Sequence, residues 1–289
     1  MFMQTFLGLA LCAIQALGDP GKMRLRHNLS LSLYPPFDTR RTNALEGWNT
    51  HGDFSIVSQA RSSGIALTSH NPGSFGGLSS KKPMNMEEWR VGFEFKVDES
   101  ASGCGVWITG KPVGMKSSGH FGGSTSIDGV LVFVTQERNA LSGEAYPAVG
   151  LATGNGRSHQ VLATVPVEKS PEFTLRIQYF DKTLTVMYGS DRSELKEVIA
   201  HKIETISKKS YLSVSGNTRS ASSEIMIRQV MVGELHRYAS RKLDEYEDDN
   251  HRARSSSVWV VFLLLMSAVG GYLYRQRAPG PTKRRDLKY

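Results

Sequence analysis

Nine residues, Trp89–Val97 (WRVGFEFKV), alternate without a break. Trp89, Val91, Phe93, Phe95 and Val97 fall on one side; Arg90, Glu94 and Lys96 fall on the other. A period of two is that of a pleated strand with one face for a core and one for water. Phe173, Leu175, Ile177 and Tyr179 repeat the pattern. Leu184, Val186 and Tyr188 resume it after Asp181-Lys182, which reads as a hairpin. The run 130–134 (VLVFV) is apolar throughout and suits a strand covered on both faces. Segments 211–215 and 224–232 supply further strands. Gly, Ser, Asn and Pro fill intervals such as 69–77 and 114–126. With no long helical period and no internal repeat in the body of the chain, the expectation is an all-β antiparallel sandwich.

The two ends read differently. Residues 258–274 (VWVVFLLLMSAVGGYLY) carry no charge and span about 26 Å as a helix, slightly short for a bilayer core of ~30 Å. They predict one transmembrane helix. Residues 1–18 have an apolar stretch that ends in small residues before Asp19 and Pro20. A cleaved signal peptide is the favoured reading, an N-terminal anchor or buried core segment the other. The tail, 275–289, holds Arg275, Arg277, Lys283, Arg284, Arg285 and Lys288 against Asp286. Excess positive charge places it in the cytosol, which makes a single-pass type I protein. The predicted layout is signal peptide 1–18, lumenal domain 19–236, charged stalk 237–257, transmembrane helix 258–274 and tail 275–289. The acidic run 244–249 in the stalk reads as solvated chain rather than as a metal or partner site.

Charge and cysteine narrow the function. The net charge is +8 with a pI near 9.4, but the tail supplies most of it. The pI is therefore no argument for nucleic-acid binding, which would want a basic stripe on the folded domain. Cys12 leaves with the signal peptide, so the mature chain keeps Cys104 alone and has no internal disulfide. Between Gly103 and Gly105, Cys104 reads as a small buried hydrophobe, with an intermolecular disulfide as the alternative. Asn28-Leu29-Ser30 is a glycosylation sequon. Signs of an enzyme are missing. A glycosidase needs two carboxylates across one bond, yet Phe95 and Lys96 follow Glu94 with no motif around them, and Glu137 and Asp128 are nine positions apart. No nucleophile elbow, phosphate loop or zinc spacing occurs.

In order along the chain stand SLSLYPPF (30–37), Trp48 with Gly52, IALT (65–68), SFGGL (74–78), Trp89–Val97, 103–109 with Trp107, 122–134, and YFDKTLTVMY (179–188). This series, over roughly 27–235, resembles the L-type, legume-lectin-like cargo receptors of the ER–Golgi pathway. The short stalk, single anchor and basic tail are most similar to the vesicular integral-membrane branch. The resemblance implies a concanavalin-type jelly roll that binds high-mannose glycoprotein cargo with Ca²⁺ and cycles between ER and Golgi membranes.

The resemblance also assigns positions, and several differ here. The family's Asp before Gly in the strand ending in Trp is Ser102. The family's Asp-x-aromatic-x-Asn loop reads Thr135-Gln136-Glu137-Arg138-Asn139, in which Asn139 matches and Glu137 brings a carboxylate from another position. The Gly-Asp-Leu sugar loop falls on Arg219-Ser220-Ala221. A family histidine has a displaced counterpart in His159. Ser74 lies one position from the family's sugar-contacting serine. The carbohydrate-binding candidates are therefore Ser74, Ser102, Glu137 and Asn139, with the main Ca²⁺ carboxylates replaced. The chain is then a cargo receptor with a degenerate sugar site, or an adaptor that binds protein cargo without sugar or metal. In the tail, Lys283, Arg284, Arg285 and Tyr289 read as a sorting signal for COPI and COPII coats, or else as topology determinants at an anionic lipid surface.

Overall fold

A computed structural model describes residues 23–236 apart from 36, 38–44, 59–62, 99–100, 139–140, 144–145, 205 and 219–222. The signal peptide, stalk, apolar run and tail expected from the sequence lie outside the described residues. Among the described residues no helix is long and apolar enough to cross a membrane.

The strands, in chain order, are β1 (Arg24–His27), β2 (Trp48–Gly52), β3 (Ser55–Val57), β4 (Gly64–Ala66), β5 (Phe75–Ser80), β6 (Trp89–Val97), β7 (Gly103–Thr109), β8 (Asp128–Thr135), β9 (Ala148–Asn155), β10 (His159–Pro166), β11 (Glu172–Phe180), β12 (Thr183–Gly189), β13 (Lys196–Lys202), β14 (Tyr211–Asn217) and β15 (Ile225–His236). They form two antiparallel sheets. One has eight strands, in the order β13-β12-β11-β6-β15-β4-β3 with β1 also on β15; the other has seven, β10-β9-β8-β7-β14-β5-β2. This is the expected all-β sandwich.

The alternation in β6 is used as written. Trp89, Val91, Phe93, Phe95 and Val97 are each at most 2% exposed and pack between the sheets. Each such burial contributes about 1.5–3 kcal/mol. The β11–β12 hairpin closes on Asp181 and Lys182, at φ 49° and 59°, the paired positive φ that suits a two-residue turn between twisted strands.

The run in β8 is buried on both faces for a different reason on each. Val130, Val132 and Val134 point into the main core, while Leu131 and Phe133 join Trp107, Val113, Phe121, Ile127, Leu141 and Ala152 in a second cluster. That cluster lies on the outer face of the seven-stranded sheet, under the segment 110–127. Phe121 stacks on Phe133 with ring centroids 5.2 Å apart, and Phe133 lies over Gly150, where a Cβ would come within 2.0 Å of the ring. The Trp107 Nε1–H donates to Ser215 Oγ at 2.9 Å. Cys104 is 1% exposed in the main core, as its small-hydrophobe reading requires.

Candidate functional site

Strand register draws the sequence candidates onto one end of the seven-stranded sheet. Gly52 stands opposite Gly76, Phe75 opposite Asn217, Asn217 opposite Gly103, and Gly103 opposite Thr135. Residues next to these partners share the same rim. Ser74 is two strand spacings from Ser102, about 10 Å, and Ser102 one spacing, about 5 Å, from the segment after Thr135. Two backbone bonds tie the rim: Gln136 N–H donates to Ser102 O, and Thr218 N–H to Ser74 O, both at 3.0 Å. Ser74, Ser102 and Glu137 are thus brought to one edge. Asn139 and Arg219-Ser220-Ala221 lie outside the described residues.

The rim serines differ in their bonding. The Ser74 hydroxyl donates to Asp53 Oδ2 at 2.8 Å and accepts from the Ser69 N–H at 2.8 Å; its contacts hold the turn before β5. Ser102 Oγ is buried and has no hydrogen-bond partner among the described residues, and the side-chain oxygens of Gln136 and Asn217 share that condition. Thr135 lies between these positions, and its hydroxyl is engaged with the carbonyls of Ser102 and Glu137 at 3.3 and 2.5 Å.

Sequence reasoning missed Asp53, Gln136 and Asn217. Asp53 follows a strand-ending glycine and is exposed; its proximity to Ser74 depends on the pairing of β2 with β5. Gln136 was within the quoted loop, where the empty acceptor gives no residue-type signal. Asn217 ends β14, which reads only as a strand. Asp98 is a further missed carboxylate: it accepts from the Glu224 N–H at 2.8 Å and fastens the start of β15.

His159, the displaced histidine of the sequence reading, stands away from the Ser102 rim. The β9–β10 connection is a short turn capped by Asn155 Oδ1, which accepts from the N–H groups of Arg157 and Ser158 at 3.1 and 3.0 Å. His159 therefore stands opposite Gly154, and Gly154 opposite Gly129. Gly129 is six residues along β8 from Thr135, about 20 Å from the rim. His159 instead meets His120 edge to face, ring centroids 5.4 Å apart. Burial first, and His159 second, push the His120 pKa below its usual 6.5.

The same geometry removes the paired-carboxylate reading of Asp128 and Glu137. They flank opposite ends of β8, more than ~20 Å apart, whereas glycosidase carboxylates sit about 5–9.5 Å from one another. Glu94 is bound to Arg192 on the other sheet. Asn28 is half-buried, with its Oδ1 accepting from Ser30 N–H and Oγ–H at 3.2 and 2.7 Å beside the exposed Leu29. Lys283, Arg284, Arg285 and Tyr289 lie outside the described residues.

A divalent ion of the calcium type draws its affinity from carboxylate oxygens. At the Ser102 corner the described residues provide the hydroxyls of Ser102 and Thr135, the amide of Gln136 and a single carboxylate, Glu137, and the Thr135 hydroxyl is engaged with backbone. Among the described residues no three His, Cys, Asp or Glu side chains come together to hold a metal. This donor set does not fit the ion.

The comparisons agree with the architecture. The Ca²⁺- and mannose-bound exoplasmic/lumenal domain of VIP36 matches with a TM-score of 0.62 at 20% identity, over 72% of this chain and 91% of that one. The potassium-bound carbohydrate recognition domain of Emp46p matches with a TM-score of 0.58 at 16% identity, over 72% and 98%. A legume lectin-like domain from Entamoeba histolytica gives the same values. At these identities the likeness shows the fold. No functionally curated protein matches the chain. The model of the legume-like lectin family matches residues 24–241, which takes in every described strand, and the chain belongs to that family.

Proposed function

We propose that this protein is a lectin-like cargo receptor that recognises glycans of glycoprotein cargo in the lumen without Ca²⁺. One observation carries the reading. Ser102 Oγ and the side-chain oxygens of Gln136 and Asn217 are buried acceptors without partners among the described residues, gathered at the sheet end where the family resemblance places its sugar site. Buried acceptors left unpaired cost stability, and sugar hydroxyls are donors that satisfy them. Ser74, held by Asp53 and Ser69, shapes the neighbouring turn. VIP36 and Emp46p lectin domains support the reading by their fold, and the mannose bound to VIP36 supports the ligand class. Membrane anchorage by 258–274, the type I orientation, coat contacts through Lys283, Arg284, Arg285 and Tyr289, an Asn28 glycan and cycling between ER and Golgi complete the proposal from the sequence. The role is binding without catalysis.

The second reading, a lectin-fold adaptor for protein cargo, is favoured by the loss of charge at Ser102 and Thr135. Calorimetric titration of the full-length chain in detergent micelles with high-mannose oligosaccharide separates the two. Binding that persists in chelator supports a metal-independent receptor. Binding that chelator abolishes shows an ion site built from other ligands. A folded protein that binds no glycan in either condition is the adaptor.

A further inference from the structure

The outer face of the eight-stranded sheet holds charges that the glycan rim does not use. Along β6 it presents Arg90, Gly92, Glu94 and Lys96; along β11, Glu172, Thr174, Arg176 and Gln178. Register sets Arg90 opposite Gln178 and Arg176 opposite Gly92, so the two arginines are diagonal neighbours at about 7–8 Å. Arg90 donates from Nε and a terminal nitrogen to Gln178 Oε1 at 3.1 and 2.8 Å. Arg192, from the turn between β12 and β13, folds back over this face and bonds to Glu94 and Gln229.

Arg176 stands among them without a bonded counterion. Its direct cross-strand neighbours, Gly92 and Met187, have no side-chain acceptor; the diagonal Glu94 is bonded to Arg192, and no hydrogen bond or ion pair reaches Arg176 among the described residues. It is half-buried. Burial, then the Arg192 charge, disfavours its charged form, and burial followed by Arg176 does the same to Arg90. A guanidinium kept partly out of water beside like charge costs stability unless an anion joins it. The depression of about 400 Å³ next to Arg192 holds three carboxylates: Glu94 and Glu172 are bonded to Arg192 and Arg228, and Asp191 accepts from Ser193 and Glu194; no hydrogen bond or ion pair joins any of them to Arg176.

We propose that Arg90, Arg176 and Arg192 form a docking face for an extended acidic segment of a partner protein, with Arg176 as its anchor. Planar guanidiniums match carboxylates in paired hydrogen bonds. Carboxylates at every second position of an extended chain recur at about 6.6–7 Å, close to the diagonal spacing of Arg90 and Arg176. The test is fluorescence anisotropy of the full-length chain in detergent micelles, with a labelled peptide carrying Glu at alternate positions. Wild type binds; Arg176→Gln weakens binding about tenfold; Arg157→Gln, in the exposed β9–β10 turn, changes it less than about twofold. The thermal midpoint of Arg176→Gln stays level or rises, because an unpaired charge is removed. Equal loss in both variants, no peptide binding, or binding of only inorganic phosphate or anionic vesicles would overturn the proposal. So would a lowered midpoint in Arg176→Gln, which would make Arg176 a structural residue.

Discussion

The Ser74 hydroxyl donates to the Asp53 carboxylate at 2.8 Å while accepting from the Ser69 N–H at the same distance. Two rim serines that look alike in sequence therefore have opposite roles. Ser74→Ala leaves the Ser69 N–H without its acceptor and is expected to cost about 1–3 kcal/mol. Ser102→Ala removes a buried oxygen that has no partner among the described residues, so its stability is expected to equal or exceed that of wild type, while glycan affinity falls. Urea unfolding beside glycan titration checks both. Equal destabilisation by the two variants removes the distinction.

Metal removal is expected to leave the protein unchanged. Among the described residues the Ser102 corner offers one carboxylate, Glu137, beside neutral oxygens, where a calcium-type ion draws on several carboxylates. Adding Ca²⁺ or chelator is expected to move the thermal midpoint by less than about 1 °C, since a ligand stabilises only in proportion to its binding of the folded state. A rise that grows with Ca²⁺ concentration contradicts this.

Acid is expected to weaken the fold through His120. Its folded pKa lies below 6.5, from burial and then from His159. The unfolded chain thus takes up the proton first, and stability present above about pH 6.5 is lost as pH falls through the depressed value. His120→Gln removes that proton uptake. Urea midpoints from pH 7.5 to 5 are expected to fall less steeply in the variant; identical slopes count against it.

Alkali acts on the core. Burial pushes the Cys104 thiol up to about 12 from 9.0. Burial, then Cys104 and Glu168, raises Tyr188 to about 12 from 10.0. Raised folded values mean stability that is complete below the unfolded pKa and declines above it, beginning near pH 9, by about 1.4 kcal/mol per pH unit for each group once its unfolded form is ionised. Cys104→Ala is expected to shallow the decline between pH 9 and 10. The native thiol is also expected to resist alkylation at pH 8, with no dimer on non-reducing gels.

Gly150→Ala tests the second cluster. The added Cβ would come within 2.0 Å of the Phe133 ring, which stacks on Phe121. Overpacking of this kind costs about 1–3 kcal/mol. Thermal melts and near-ultraviolet dichroism are the measurements; a midpoint equal to wild type shows that the ring can move aside.

The sandwich was legible where one face of a strand is apolar. Trp89–Val97 and the Asp181-Lys182 hairpin are examples, because a period of two is a local property of the chain. The strands β9 and β10 were not. Their Gly, Ala and Thr residues carry little alternation, and Gly150 is small because Phe133 covers it, a fact set by β8. Of the candidate site, Ser74, Ser102 and Glu137 were found through family resemblance, while Asp53, Gln136 and Asn217 enter only through strand register.

The sequence by itself therefore determined a β-sandwich and its main core strands, since patterning is readable one segment at a time; the replaced rim carboxylates are what the family resemblance implies. Tertiary structure decided which serine is engaged and which has no partner among the described residues, that a short turn carries His159 about 20 Å from the rim, and that Arg176 meets no bonded counterion among those residues. Those depend on which residues face one another across strands distant in the chain, and pairing energy is a property of both partners.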